Sequence, residues 1–245
     1  MKILGIIPSR YAASRFPGKP LVDIDGKTMI QRVYEQAKKS SRLTDVVVAT
    51  DDERIKRVIN GIGGEAFITS EDHLTGTDRC GEVLNLVKNE YDYVINIQGD
   101  EPFIDPASID ALCDLLDYKT EIATLVSRIE DYETLHNPNV VKVILTMRKQ
   151  ALYFSRQVIP YVRGVDPENW LAEAEFFRHI GIYAYRHDVL EQIVKLPQNV
   201  LENTEKLEQL RWIGYGYRIL ATETAFTSIG IDTPEDLEKA LSKKN

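Results

Sequence analysis

Three cations lie within ten residues near the start of the chain, in a loop that follows a short apolar run. Residues 3–7 contain only aliphatic side chains and one glycine, and they lead towards Arg10, Arg15 and Lys19. A buried strand that opens into a loop of cations and small residues is one way in which an α/β sheet holds phosphates. The loop therefore predicts binding of a nucleoside triphosphate, whose charge an apolar pocket could not accept.

Two carboxylates follow a second strand-like run, at residues 94–97. Gln98 and Gly99 come directly after this run, and Asp100 and Glu101 come next. Ligands of open α/β sheets bind beyond the carboxyl ends of the strands, where a carboxylate can hold Mg²⁺ together with substrate phosphates. By itself, the segment is also typical of an acidic turn in solvent. The cationic loop at the same predicted sheet edge favours the magnesium interpretation.

The chain as a whole is acidic, so its cations must be concentrated locally if it binds an anionic substrate. The 245 residues carry a formal net charge of −8, which argues against a general nucleic-acid-binding protein. Cys80 and Cys113 lack metal-ligand spacing and predict buried, reduced thiols. The first apolar run is too short for a signal-peptide core and no stretch approaches a membrane span, so we expect a cytoplasmic protein with no membrane partner.

Strand-like and helix-like segments alternate through the first half of the chain, which predicts an α/β fold. The expected architecture is a mixed, largely parallel sheet flanked by helices, with right-handed crossovers. Asp52 and Asp105 are expected to cap helices, and Gly61 to end one. Composition marks no linker, so we expect a single domain over residues 1–245, with an embedded subregion at about 146–186 that forms a lid, a substrate wall or a dimer contact. The predicted strands are 3–7, 46–49, 94–97, 140–145, 151–154 and 177–185; the predicted helices are 29–40, 52–60, 78–88 and 106–118; and 164–175 is predicted as a loop.

The chain contains nine short motif blocks, at residues 6–21, 48–52, 75–79, 95–102, 137–143, 151–156, 178–186, 205–211 and 232–238. Taken in order, these blocks resemble the 3-deoxy-manno-octulosonate (Kdo) cytidylyltransferases. Each block alone is a weak signal, but nine in the right order are specific to this family rather than to the enzymes that activate sialic acid. The resemblance implies a nucleotide-diphospho-sugar transferase fold and a homodimer. It also implies Mg²⁺-dependent transfer of CMP from CTP to the anomeric hydroxyl of Kdo, with release of pyrophosphate, for lipopolysaccharide biosynthesis.

The resemblance also assigns residues to CTP and to the metal. Arg15 has an alternative role as a surface arginine paired with acidic neighbours. Asp232 has an alternative role as the start of a helix, because Pro234 follows it closely. The implied catalytic residues are Arg10, Lys19 and Asp100; the nucleotide-binding residues are Arg10, Arg15, Lys19, Thr77 and Arg79; and the magnesium ligands are Asp100 and Asp232.

A further set of residues is implied to bind the sugar acid. Arg156 suits the Kdo carboxylate because a guanidinium can meet that group with two parallel N–H donors. His179 is a candidate general base as well as a binding residue, and binding is the favoured role. His179 and Tyr183 could instead form a half-buried wall, and the polar residues after Leu207 could face solvent. The implied set is Gln98, Arg156, His179, Tyr183, Glu208 and Gln209.

Other functions remain open on the residues alone. The acceptor could instead be amino-Kdo or sialic acid, and an enzyme for amino-Kdo would differ by few residues in the sugar site. A nucleotide-binding regulator without turnover would keep the same cations and aspartates. A dinucleotide-dependent oxidoreductase is disfavoured, because the first loop lacks Gly-x-Gly-x-x-Gly spacing.

Overall fold

The fold is a mixed β-sheet between two layers of helices, in a computed structural model that describes residues 1–12, 16–226, 230–231 and 233–242. The strands are β1 (Ile3–Ser9), β2 (Asp23–Ile24), β3 (Lys27–Thr28), β4 (Asp45–Thr50), β5 (Glu65–Ile68), β6 (Tyr93–Asn96), β7 (Ile122–Arg128), β8 (Lys142–Leu145), β9 (Ala151–Ser155), β10 (Phe177–Arg186) and β11 (Ile219–Glu223). The α-helices are α1 (Met29–Ala37), α2 (Glu53–Gly61), α3 (Gly76–Leu86), α4 (Pro106–Cys113), α5 (Tyr132–His136), α6 (Trp170–Glu173), α7 (His187–Ile193), α8 (Val200–Glu205), α9 (Gln209–Gly214) and α10 (Pro234–Ser242).

The main sheet runs in the order β11-β7-β10-β6-β1-β4-β5. Strands β1, β4, β5 and β6 are mutually parallel, and β11 is parallel to β7. Strand β10 is antiparallel to both of its neighbours in this path, β6 and β7, and also pairs with β8. The predicted mixed, largely parallel sheet is therefore confirmed.

The order of the strands creates a switch point next to β1. The chain leaves β1 towards β4 and β5 on one side, and then returns to place β6 on the other side. The connections after β1 and β6 therefore run towards opposite edges of the sheet and leave a crevice at the carboxyl ends of these two adjacent strands. Such a crevice is where open α/β sheets bind their ligands.

Strand β1 is buried on both faces, as expected for a central strand of a parallel sheet. Its residues Ile3 and Ile7 join a core cluster with α1, α2 and α4. Leu4 and Ile6 join a second cluster on the opposite face, with α3, α7 and α9. Burial on both faces fixes the strand, and thereby fixes the starting point of the cationic loop.

Several predicted boundaries were wrong for identifiable reasons. Helix α3 begins at Gly76 rather than 78, because Thr75 and Asp78 exchange hydrogen bonds in a capping box. The helix predicted over 106–118 ends at Cys113. The segment predicted as a loop at 164–175 contains a 3₁₀ turn and helix α6, whose buried Trp170 packs on Phe176. Strands β2, β3, β5, β7 and β11 were not predicted.

Candidate active site

The carboxyl ends of β1 and β6 frame a pocket of about 310 Å³ at the switch point. The cationic loop forms one wall, and the loop before α3 with the first turn of α3 forms another. The lining residues come from four segments: Pro8, Ser9 and Arg10; Phe16, Lys19 and Pro20; His73, Leu74, Thr75, Gly76 and Arg79; and Gln98, Gly99 and Asp100.

Two glycines allow these segments to pack closely against Pro8. A Cβ atom added to Gly99 would lie only 2.7 Å from the Pro8 carbonyl oxygen. A Cβ atom added to Gly76 would lie 3.0 Å from Pro8 Cγ. A side chain at Gly99 would force the backbone segments apart, and one at Gly76 would press against the Pro8 ring, so both glycines favour the close approach that shapes the pocket.

A lysine and an aspartate from two separate motifs meet at this pocket. Gly18 adopts a φ of 74°, which turns the chain into a short 3₁₀ helix starting at Lys19. Lys19 Nζ lies 2.9 Å from Asp100 Oδ2, and the exposed Arg10 lines the same pocket. The structure thus brings together the three residues that the resemblance implied to be catalytic. Their roles stay predictions.

The other residues implied to bind the nucleotide do not all lie at the pocket. Arg79 lines the pocket, but its guanidinium donates to Asp51 Oδ2 at 3.1 Å and to Thr69 Oγ1 at 2.5 Å. The buried Thr77 does not line the pocket, and its hydroxyl donates to Glu208 Oε2 at 2.8 Å. Arg15 lies outside the described residues.

The second implied magnesium ligand, Asp232, also lies outside the described residues. The backbone N–H of Ile231 donates to the carbonyl oxygen of Asp100 at 3.0 Å. Helix α10 begins at Pro234, and the Thr233 hydroxyl accepts a hydrogen bond from the Asp236 N–H. The capping role that the sequence allowed for Asp232 therefore belongs to Thr233.

An aromatic cluster adjoins the pocket through Gln98. Gln98 lines the pocket, and its Cγ atom would lie 3.9 Å from a Cβ added to Gly181. Gly181 belongs to a bulge of β10 between Ile180 and Tyr183. The rings of His179 and Tyr183 have centroids 5.2 Å apart, so the two predicted sugar residues do share a face. Within the part of the chain that the structure describes, the buried Tyr183 hydroxyl has no hydrogen-bond partner.

Glu208 lies behind this aromatic cluster. Its Oε1 accepts from Arg211 Nη2 at 2.6 Å, and its Oε2 accepts from Thr77. Burial raises the pKa of the Glu208 carboxyl, against the opposing effects of its hydrogen bond from Thr77 and the nearby Arg211 charge. The adjacent Gln209 is only 5% exposed, which excludes the alternative that it simply faces solvent.

Arg156 is held by backbone carbonyls at the end of β9. Its Nε donates to Glu205 O at 2.8 Å and its Nη1 to Pro138 O at 3.0 Å. Its own carbonyl accepts from the fully buried Lys142 Nζ at 2.6 Å. Arg156 is not among the residues that line the pocket, and two of its donors have protein partners. A contact with the substrate carboxylate would use its remaining donors, and that contact stays a prediction.

The surroundings of His179 disfavour a role as general base. The fully buried Thr124 hydroxyl lies 2.8 Å from the Ile182 carbonyl oxygen and 3.0 Å from His179 Nε2. Because a carbonyl oxygen can only accept, we assign the hydroxyl proton to the Ile182 carbonyl and the imidazole hydrogen to Nε2, from which Thr124 accepts. Burial lowers the pKa of the imidazole to about 3. His179 is therefore a neutral side chain with an acceptor at Nδ1, which suits binding of a hydroxyl group.

Three polar residues around the site were missed from the sequence. Ser9 lines the pocket, and its hydroxyl is buried with no hydrogen-bond partner in the described ranges. Asp51 follows β4, and Thr124 lies inside β7. Ser9 and Asp51 could have been found, because each is a polar residue at the carboxyl end of a buried strand. Thr124 lies in a strand that was not predicted.

The comparisons with known proteins agree with this geometry. Residues 4–219 match the family model described as Cytidylyltransferase. A 3-deoxy-manno-octulosonate cytidylyltransferase from Parabacteroides distasonis is 52% identical over 248 residues, which cover 99% of this chain and 98% of that protein. The chain belongs to the Kdo cytidylyltransferase family. Another member, from Cytophaga hutchinsonii, is 51% identical and covers 97% of this chain and 95% of its own length.

Solved structures support the same family and fold. A CMP:2-keto-3-deoxy-manno-octonic acid synthetase complexed with CTP superposes with a TM-score of 0.92, at 42% identity, over 100% of this chain and 98% of that one. A 4-diphosphocytidyl-2C-methyl-D-erythritol synthase from Anaerococcus prevotii has a TM-score of 0.66 at 12% identity, covering 99% of this chain and 98% of that one. At that identity the second likeness shows the fold alone. The implied Kdo cytidylyltransferase family and the implied fold are thus confirmed.

We predict that His179 makes the folded protein less stable in acid. An unfolded histidine titrates near pH 6.5, whereas the folded pKa is about 3. Between these values the unfolded chain binds a proton that the folded chain does not, so the free energy of unfolding falls as the pH is lowered. As the pH is lowered from about 7 to about 5, the melting temperature of His179→Gln should therefore fall by less than that of the wild type. Above pH 7 the melting temperatures of the two proteins should differ by a constant amount. Parallel curves down to pH 5 would contradict the prediction.

Proposed function

We propose that this chain transfers CMP from CTP to the anomeric hydroxyl of Kdo and releases pyrophosphate. The observation that carries this proposal is the pairing of Lys19 with Asp100 at the switch-point pocket, in a chain whose relatives carry that activity in their names. The structural neighbour at a TM-score of 0.92 was solved with CTP. Pocket, charge and family membership therefore support the same reaction.

The residues of the pocket suit the charge of the nucleotide. In the reaction, the anomeric hydroxyl loses its proton to solvent and its oxygen bonds to the α-phosphorus, while the bond from that phosphorus to the bridging oxygen breaks and pyrophosphate leaves. Arg10 and Lys19 supply positive charge where the triphosphate binds and where negative charge grows on the leaving group. The unpartnered Ser9 hydroxyl adds a donor at the end of β1. The chain thus contributes mainly positioning and charge stabilisation.

The sugar acid would occupy the aromatic cluster beyond Gln98. Tyr183 offers a buried hydroxyl without a described partner, and neutral His179 offers an acceptor at Nδ1. Both groups suit the hydroxyls of a sugar, because each is held by packing before the ligand arrives. Ring contacts of His179 with Phe154 and of Tyr183 with Trp212 provide that packing.

We propose Mg²⁺ as the cofactor, held by Asp100 and Asp232. Asp100 offers hard carboxylate oxygens at the pocket and keeps 32% of its side chain exposed. In the described parts of the chain, no group of three or more His, Cys, Asp or Glu side chains is placed to hold a metal. A site completed by phosphate oxygens and water is the usual one for Mg²⁺. When bound, the ion would neutralise phosphate charge and polarise the reacting oxygens.

The location and pathway are proposed with the reaction. Within the described residues, no helix has both the length and the apolar composition needed to cross a bilayer. We propose that the protein works in the cytoplasm and that CMP-Kdo is used for lipopolysaccharide biosynthesis.

The reaction is tested with a panel of acceptors. We expect pyrophosphate release with CTP, Mg²⁺ and Kdo, at a kcat/KM well above that with amino-Kdo or sialic acid. The coupled assay must run under conditions in which decay of the labile product is not limiting. CTP binding without pyrophosphate release from any acceptor would instead favour the nucleotide-binding regulator. Preference for another acceptor would identify a related cytidylyltransferase.

Asp100→Asn should lower kcat by at least about 100-fold, because it removes a charge beside the reacting phosphates. The amide has the same size and is part-exposed, so the melting temperature should change little. Asp105→Asn is a matched control: Asp105 caps α4, and asparagine is an equally good cap. Wild-type kinetics for Asp100→Asn would exclude Asp100 as a metal ligand.

We also propose a homodimer. Tyr132, Leu152 and Tyr161 are large apolar residues at least half exposed, and they lie in or near the subregion predicted as a contact surface. Light scattering after size-exclusion chromatography should give about twice the mass of one chain. Leu152→Glu should shift that mass towards one chain. A wild-type mass of one chain at micromolar concentration would contradict the proposal.

A further inference from the structure

Asp51 joins two walls of the nucleotide pocket with one carboxylate. Its Oδ1 accepts from the backbone N–H of Tyr11 at 3.2 Å, and its Oδ2 accepts from Arg79 Nη2 at 3.1 Å. Tyr11 directly follows Arg10 in the cationic loop, and Arg79 lies in the first turns of α3. The side chains of Asp51 and Arg79 are only 12% and 4% exposed, so solvent screens this ion pair weakly.

A second hydrogen bond, to Thr69, also holds the Arg79 guanidinium. Its Nη1 donates to Thr69 Oγ1, and the backbone N–H of Thr69 donates to the Thr50 carbonyl at 2.8 Å. Thr50 ends β4 and immediately precedes Asp51. The guanidinium therefore ties α3 to the ends of β4 and β5, which are rigid parts of the sheet.

Tyr11 connects Asp51 to the rest of the cationic loop. Its carbonyl accepts from the Gly18 N–H at 3.1 Å, which closes the loop just before Lys19. The Arg54 guanidinium lies 3.5 Å from the centre of the Tyr11 ring. Tyr11 is thus held through its N–H, its carbonyl and its ring. Its N–H donates to the Asp51 carboxylate, which also accepts from Arg79.

We infer that Asp51 is a positioning residue for CTP, which holds the cationic loop at a fixed distance from helix α3. The inference rests on the proposed CTP site. Arg10 and Lys19 on one wall and Thr75 and Gly76 on the other then meet one nucleotide at the same time. Arg79 contributes to CTP binding by holding Asp51. This role explains why the guanidinium of a pocket-lining arginine donates its hydrogen bonds to protein groups.

The inference is tested with Asp51→Asn. Asparagine has one side-chain oxygen, so it can accept from Tyr11 or from Arg79 but not from both, and its amide would face a donor. We expect the Kd of CTP in Mg²⁺ buffer, measured by titration calorimetry, to rise by roughly 10-fold or more. The KM for CTP should rise with it, while the KM for Kdo stays unchanged.

Asp45→Asn is the matched control, because Asp45 begins the same strand at its other end and accepts from the Tyr91 hydroxyl at 2.7 Å. It should keep wild-type values for both substrates. If Asp51→Asn does not fold, Thr69→Val, which removes the other described partner of Arg79, should raise the Kd of CTP in the same direction.

Two outcomes would overturn the inference. One is a folded Asp51→Asn protein with wild-type affinity for CTP. The other is an equal rise in the KM values for CTP and Kdo, which would indicate a general loss of structure. The calorimetric experiment omits the acceptor, so it decides the role of Asp51 even if Kdo proves to be the wrong substrate.

Discussion

The ion pair between Lys19 and Asp100 connects the two strand ends on which the site depends. Lys19 belongs to the loop after β1 and Asp100 to the turn after β6. These two strands are neighbours because the chain, after adding β4 and β5 on one side of β1, returns to place β6 on the other side. An acidic protein that binds a triphosphate needs cations and a carboxylate in one small volume. The topology supplies that volume, and the buried faces of β1 keep it in place.

The sequence predicted the part of this arrangement that depends on local pattern. Short aliphatic runs identified the central strands β1, β4 and β6, because a strand buried on both faces has no polar alternation. Asp52 and Asp105 were correctly expected to start helices, since each side chain accepts a hydrogen bond from the first turn. The family resemblance then indicated the activity, which the comparisons support.

What the sequence could not predict depends on contacts between distant segments. Nothing near Arg79 in the chain indicates that its donors reach Asp51 and Thr69, and nothing near Thr77 indicates Glu208. The low pKa of His179 likewise follows from burial beside β7, a strand that the pattern did not reveal. The extent of the single domain and the roles of the individual site residues stay predictions, as do Arg15 and Asp232, which lie outside the described residues.

The bond from Thr77 to Glu208 has a consequence for how the acceptor can change during evolution. Thr75 and Gly76 line the pocket, whereas Thr77, the next side chain in the same helical turn, donates to Glu208 behind the aromatic cluster. One turn of α3 therefore contacts both the pocket proposed for CTP and the cluster proposed for the sugar acid. Under the proposed assignment, substitutions around Glu208 and Tyr183 reshape the acceptor site while Thr75 and Gly76 keep their positions at the proposed CTP pocket. A lineage could thus acquire a new sugar acid without losing its nucleotide.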